Sequence, residues 1–477
     1  MTKNIARKFL FFDNWTYESL SGFTRKTHKP VKFYNNPVFV ANNNPYEYNS
    51  CSYSTVAYDY DEKIFKMWYG TSNLYKTDEE AIKYLCYATS SDGIKWDRPN
   101  LDVIDGTNVV MDKDMYPMGT SVIIDKEDIN MPYKLIMRPK NIPAITTCFS
   151  KDGIHWDKKN INIVINADSD CKIGLYKNPV EKTYYALFRN IKGQRKNYIS
   201  SSKDFINWDF PKLILEPDIS EGCQTQIYGT QASSYGNYVI GLSPLYNTVE
   251  TDMNWAKMEG TMDISAAFSK GSYNWRWLNP KDRFISLKDE KTSECGMIHP
   301  LTSLIYLPEK IRMYYAASDF SHGNTHLITQ KPQYINFAEL RPDGFTSIAC
   351  DEAGYLLTRP FSVSSSQLYI NANCNKGTLR ASIRDAYTNQ PIEGFNFKDC
   401  IAINTDEIYH QIEWKNNEGV NRFDNRPIRL AIECKNVEIF SITFPNNNDV
   451  KKYWEFDEIT CVNPKKDISE DDYFMKI

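Results

Sequence analysis

The residues of this chain that could move protons or hold charge are carboxylates and arginines set at recurring places. Glu47, Asp112 or Asp114, Asp168 or Asp170, Glu221 and Glu294 each fall just ahead of a short run rich in β-branched and aromatic residues. Runs that return from a polar turn end in Tyr69, Arg138, Arg189, Tyr246 and Asp319, with His322 and His326 a few residues beyond the last. An arginine beside carboxylates favours the charged form of some of them, and apolar surroundings raise the pKa of another. Such a division suits cleavage of a glycosidic bond, which needs one carboxylic acid to protonate the leaving oxygen and one carboxylate as nucleophile or water-activating base. The plainer alternative is that these acids cap strands or pair with the arginines for structure.

Other chemistry finds little in the sequence. No GxSxG, P-loop, GxGxxG or HExxH occurs, which speaks against serine hydrolases, nucleotide enzymes and zinc proteases. Eleven cysteines are scattered without a CxxC pair or a histidine cluster at zinc spacing, so buried reduced thiols are expected, and neither metal nor cofactor. Lys plus Arg number 56 against 60 Asp plus Glu, a net charge of −4 that argues against nucleic acid or an anionic membrane as partner. The apolar stretch Phe9 to Phe12 is far shorter than a signal-peptide core, and no run approaches the length of a membrane helix. A soluble, cytoplasmic protein is expected. Aromatic residues reach 14% of the 477, a load that favours strands and a carbohydrate ligand.

The elements that must position these residues come from a repeat. Ser91-Asp92-Gly93-Ile94-Lys95-Trp96-Asp97 returns as Lys151-Asp152-Gly153-Ile154-His155-Trp156-Asp157, then in weaker form as Lys203 to Asp209 and Ser269 to Trp275. The Asp-Gly reads as a tight turn, with the Asp side chain bonding local backbone and the Trp packing between neighbouring units. Ahead of each box lies a hairpin pattern, beginning with Ser52 to Tyr58 and Ile64 to Tyr69, and a fifth hairpin follows at Ser303 to Tyr306 and Ile311 to Tyr315. Leu101 to Ile104, Ile161 to Ile165 and Lys212 to Leu215 read as the fourth strands of the early units. The spacing is that of one four-stranded blade per unit. An all-β fold follows: a five-bladed β-propeller over residues 1–342, its last blade closed by a strand within 32–40. A β-sandwich over 343–444 and a polar tail over 445–477 complete the chain. Starts of inner strands and ends of returning strands share one face of a propeller, so Glu47, Asp170 and Glu294 are expected to converge there with Arg138 and Arg189.

The hairpins, the SxDGIxW boxes, Leu10 to Asn14, Asn36-Pro37-Val38, Asn44-Pro45-Tyr46-Glu47 and Tyr314 to Asp319 resemble uncharacterised bacterial proteins related to the propeller glycosidases of families 32, 43 and 68. Leu340 to Phe345, Leu357 to Phe361, Gly394-Phe395 and Asp399-Cys400 resemble the sandwich domain that follows the propeller there. The resemblance covers about residues 8–444. It implies three acids at inner-strand starts. Glu47 falls at the place of a base or nucleophile, Asp170 at that of a stabilising Asp, and Glu294, followed by Cys295, at that of the acid. Asp114, Arg138, Arg189, Glu221, Asp319 and His322 would then line the bound carbohydrate. Cys295, Met297 and Ile298 give Glu294 the apolar setting that would keep it protonated. A glycoside hydrolase is the first reading. A non-catalytic glycan-binding propeller is favoured by the lack of Asn-Asp-Pro and Arg-Asp-Pro motifs, and a sugar transferase or phosphorylase would need an anion site such as Arg138 with Arg189.

Overall fold

The alternating runs form antiparallel hairpins in the computed structural model, which describes residues 7–445 apart from 74–80, 190–194, 219, 221–223, 249–258, 289–291, 302–303, 363–364, 366, 416–419, 421–422 and 424–425. The protein is all-β: among the described residues regular structure is strand, apart from the 3-10 segment His322–Thr329. No helix is long and apolar enough to cross a membrane. The described residues fall into two compact units.

One unit, residues 30–305 and 311–339, carries the repeat. Its first sheet is the meander Ser52–Asp59, Ile64–Ser72, Lys83–Ser90, Val109–Met111. The second is Met118–Ile124, Tyr133–Arg138, Ile145–Ser150, Asn162–Ile165, and the third is Gly174–Asn178, Thr183–Arg189, Asn197–Ser202, Lys212–Leu215. A fourth group has Thr225–Ile227 and Gln231–Tyr235 on Tyr238–Thr248, followed by Gly260–Lys270 and Trp275–Trp277. The last group runs Met297–Pro300, Lys310–Ser318, Tyr334–Leu340, and its outer edge is Val31–Lys32 and Phe39–Val40. A single parallel pair, Met262 with Met297, joins the last two groups. The expected fourth strand at Leu101 to Ile104 is corrected. That stretch makes one bridge, Leu101 to Thr107, around a turn with Gly106 at φ +73°, and the fourth strand is Val109–Met111.

The sheets follow one another in chain order and the last touches the first, and the repeated boxes make those joints. Asp92 Oδ1 accepts from the backbone N–H of Ile94 and Lys95 at 2.7 and 2.9 Å, and Asp152 and Asp204 do the same in their boxes. Gly93 and Gly153 hold φ at +69° and +78°. In the weaker third box Phe205 takes that left-handed place at +67°. The buried box carbonyls receive a donor from the neighbouring sheet. Trp68 Nε1 donates to Gly153 O at 2.7 Å, and Tyr314 OH donates to Gly93 O at 2.7 Å, which joins the last group to the first. A second recurring joint is a hairpin-turn acid: Asp59 binds Lys66, which binds Tyr133 OH of the next sheet, while Asp125 binds Lys134 and accepts from Tyr184 of the sheet after.

The other unit, the residues up to 29, 306–310 and those from 340 on, is built on two long paired strands, Thr346–Thr358 and Ile428–Phe444. A register break between Cys350 and Ala353 divides their pairing. Thr378–Asp385 lies along the first half of the longer strand, and Tyr369–Asn373 along its second half. The strands thus pass from one layer to the other around a core of Phe11, Ile370, Leu379, Phe395, Ile432 and Ile439. This corrects the expected boundary of 1–342. Arg7–Leu10 pairs with Ser441 to Phe444, Tyr17–Ser21 with Tyr355 to Thr358, and Thr24–Thr27 with Thr346 to Ala349. The cause is the apolar run at the start: Leu10, Phe11 and Phe12 are all buried, and Phe11 lies within this core. The tail at 446–477 lies outside the described residues.

A β-carbon on Gly153 would sit 2.8 Å from both the Trp68 and the Tyr133 rings, at a φ that L side chains rarely adopt. Gly153→Ala is therefore expected to cost about 1–3 kcal/mol through this joint. Urea unfolding with an unchanged midpoint would contradict the role given to the box.

Candidate active site

The starts of the inner strands carry kinks that re-aim side chains. Pairing slips between Ser52 and Thr55, with Tyr53 at φ +52°, and slips again between Met118 and Ser121, with Gly119 at +64°. Bulges of this kind redirect a side chain out of the ladder. Tyr53 hydrogen-bonds Tyr228, just past the end of Thr225–Ile227. Around Tyr228 the structure gathers residues from four groups of strands. The Arg189 guanidinium stands over its ring at 4.8 Å and that of Arg195 at 5.5 Å. Arg195 also lies 5.5 Å from the Tyr246 ring and donates to Gln226 Oε1 at 2.7 Å. His322 bridges two phenols, with Nε2 3.2 Å from Tyr228 OH and Nδ1 3.2 Å from Tyr246 OH. The His299 ring is 5.5 Å from that of Tyr228. Asp170 brings a carboxylate to the same cluster, 2.5 Å from Arg189 Nη2.

The electrostatics follow from burial. Both guanidiniums are buried, with 1% and 4% of Arg189 and Arg195 exposed, whereas the Asp170 side chain keeps 38% exposure. Burial pushes the Tyr53 and Tyr228 phenols up, with Arg189 pulling the other way, so both stay protonated and able to donate. Burial drives His299 down to about 4, and the nearby His322 acts in the same direction, which keeps His299 neutral near pH 7. Burial also lowers Arg195, and the charge of Arg189 adds to this. The cluster therefore offers one half-open carboxylate, two fixed cations, and a chain of phenols and an imidazole that can each give and accept a hydrogen bond.

Of the residues expected from sequence, Asp170, Arg189 and His322 belong to this cluster. Glu47 does not, and its oxygens are taken up elsewhere. Asn42 N donates to Oε2 at 2.8 Å, Tyr69 OH to Oε1 at 3.2 Å, and Arg98 to both at 3.0 and 3.3 Å, with the carboxylate fully buried. Glu294 sits in the corresponding cage of the last group. Lys32 Nζ is 2.8 Å from Oε2, Lys288 Nζ 2.9 Å from Oε1, and Tyr315 OH donates at 2.8 Å. Tyr69 and Tyr315 occupy matching places in Lys66-Met67-Trp68-Tyr69 and Arg312-Met313-Tyr314-Tyr315, so both glutamates serve the repeat. The expected apolar setting of Glu294 is thereby corrected: burial alone would raise its pKa, but the hydrogen bonds from Lys32 and Lys288 outweigh burial and hold the carboxyl below its usual range.

Arg138 pairs with Asp168 at 2.8 Å, and Asp319 with Lys331 at 2.9 Å. Asp114 is exposed, its N–H donating to Asp112 Oδ1 at 3.1 Å. Glu221 lies outside the described residues. Sequence reasoning missed Tyr53, Arg195, Gln226, Tyr228 and His299. It looked only at the residues flanking the first two strands of each unit, whereas Arg195 precedes a third strand and His299 lies inside a first one. The aromatic-rich flanks were the available signal.

No protein-family model matches the sequence, and no curated protein matches it. Solved structures with a similar course of the chain include a glycosyl hydrolase from Bacteroides ovatus, 14% identical, covering 66% of this chain and 95% of that one at a TM-score of 0.48. An α-L-arabinofuranosidase from Podospora anserina is 12% identical, with 66% and 97% covered and a TM-score of 0.43. A β-1,2-mannobiose phosphorylase from Listeria innocua is also 12% identical, with 66% and 97% covered and a TM-score of 0.42. At such values these likenesses assign no activity.

A carboxylate whose folded pKa is depressed adds stability above its unfolded value and loses it as pH falls through the folded one. Glu294→Gln is expected to cost about 3 kcal/mol at neutral pH, because it leaves Lys32 and Lys288 without their counter-charge. The gap between the two melting curves should narrow as pH is lowered to about 3. A gap that stays constant across that range would show that the charge of Glu294 does not stabilise the fold.

Proposed function

We propose that this chain is a glycan-active enzyme that cleaves a glycosidic bond at the cluster around Tyr228, on a five-bladed propeller related to the glycosidases of families 32, 43 and 68. The observation that carries the reading is the half-exposed Asp170 carboxylate held 2.5 Å from buried Arg189, against a wall of phenol and imidazole groups. Asp170 is the acid/base group. Arg189 fixes its orientation, and His322 with Tyr228 and Tyr246 supplies hydrogen bonds to sugar hydroxyls. The aromatic faces suit a sugar ring, which presents C–H groups on one side and hydroxyls at its rim.

Water as the attacking group gives hydrolysis. A specific observation favours a second attacker: Arg195 sets another guanidinium over the same ring as Arg189. Two guanidiniums form a seat for an oxyanion such as inorganic phosphate, whose attack at the anomeric carbon yields a sugar 1-phosphate and the freed alcohol. The roles expected for Glu47 and Glu294 are withdrawn in this reading.

Aryl glycosides and oligosaccharides assayed with and without phosphate separate the outcomes, with sugar 1-phosphate and reducing sugar as the measured products. Asp170→Asn is expected to lower turnover at least ~10²-fold, and to lower the melting temperature as well, because it leaves buried Arg189 without its counter-charge. Arg195→Met is expected to raise KM for phosphate more than it lowers kcat, if phosphate is the attacker. Full turnover in Asp170→Asn would dismiss this site, and glycan binding without turnover in the wild-type chain would make the protein a binding propeller.

A further inference from the structure

The second unit holds a pair of thiols that none of the chemistry above uses. Cys350 lies on Thr346–Thr358 and Cys434 on Ile428–Phe444, the two long strands that both layers share. In a regular ladder they would not meet, since Cys350 stands opposite Val437 and Cys434 opposite Gly354. The register break after Cys350 brings the two together, with Sγ to Sγ at 3.2 Å. That is closer than two sulfur atoms rest in ordinary contact. Space for further approach is kept by Gly354, where a β-carbon would lie 3.0 Å from Cys350 Cβ. Both side chains are buried, with 3% and 8% exposure. A third buried thiol, Cys374, is near enough to act electrostatically on Cys434.

We propose that Cys350 and Cys434 are a disulfide-forming pair, a modification site that fastens the strand crossover of this unit. Closing the bond from the observed separation takes about 1.2 Å, to the usual S–S length of about 2.05 Å. With oxidised glutathione as oxidant, one cysteine thiolate attacks the glutathione disulfide and releases one glutathione thiolate. The second cysteine thiolate then attacks the mixed disulfide and releases the other. Two cysteine thiols are oxidised, one glutathione disulfide is reduced to two thiols, and the two cysteine protons pass to the glutathione thiolates. Burial disfavours the thiolates, so exchange proceeds slowly, through opening of the strand pair. The bond closes a chain segment spanning 84 positions, which restricts the unfolded chain strongly. Both cysteines are free in this structure, as the sequence led one to expect, and the proposal concerns what an oxidant does to them.

The test uses the full chain purified under reductant and then equilibrated with oxidised glutathione. Peptide mapping without reduction is expected to show one linked pair, Cys350 with Cys434, at a mass lower by two hydrogens. The melting temperature should rise by roughly 5 °C or more. Cys434→Ala should abolish both changes, and Cys374→Ala should keep both. Linkage through Cys374 or the half-buried Cys295, or an unchanged thiol count in the wild-type chain, would overturn the proposal whether or not either variant folds.

Discussion

The repeat-bearing unit depends on a buried lysine amine. Lys172 precedes the inner strand of the third sheet, and its Nζ meets Ser54 O at 2.7 Å, Thr120 O at 2.8 Å and Thr55 Oγ1 at 3.0 Å. Those acceptors belong to the inner strands of the first and second sheets, so one side chain ties three sheets together where they crowd the axis. Among the described residues its partners are neutral oxygens. Burial pushes its pKa well below 10.5, the cost of holding a charge away from water. Hydrogen bonds to these oxygens satisfy the buried amine. The arrangement also fixes the backbone next to Tyr53, whose left-handed conformation aims its phenol at Tyr228. The cluster around Tyr228 therefore rests on a bond network laid down largely by main-chain carbonyls, with its own side chains added on top.

The repeat explains why two glutamates looked catalytic. Every unit must join its neighbours and satisfy the polar groups at the start of its inner strand. The first and last units answer with the same device, a glutamate clasped by a tyrosine of the second strand and by a cation, Arg98 or Lys32. A regular series of acids is thus the signature of a regular structural need. A binding site for an asymmetric ligand would break that regularity, because the ligand needs different groups on its different sides. The Arg189–Asp170 pair repeats the Arg138–Asp168 pair of the sheet before it, and what sets it apart is that Arg195 and His322 meet it around Tyr228.

Much of the all-β fold was legible in period-two alternation and in the Asp-Gly turns, whose side-chain-to-backbone bonds are local and so appear within a few residues of sequence. The fourth strand of the first sheet was misplaced, because Leu101 to Ile104 carries a strand-like composition and only Gly106 marks the turn that interrupts it. The destination of Arg7–Leu10 could not be read at all, since its partner Phe444 lies at the other end of the chain. At the site, Asp170, Arg189 and His322 were legible because they stand at the ends of elements. Tyr228 and Arg195 were not, because a cation over a ring is a contact between two residues that sequence shows only separately.

The two arginines are held in different ways, and the difference bears on what they can do. Arg189 is engaged by a carboxylate, so its charge is partly spent on Asp170 and its main effect is to hold that group still. Arg195 is placed by the neutral Gln226 oxygen and by the faces of Tyr228 and Tyr246. A neutral acceptor and aromatic quadrupoles orient a guanidinium without cancelling its charge. Asp170 also acts electrostatically on Arg195, so one carboxylate is felt by both guanidiniums. On the reading proposed above, two guanidiniums beside an oriented carboxylate would hold a negatively charged group near the bond to be cleaved.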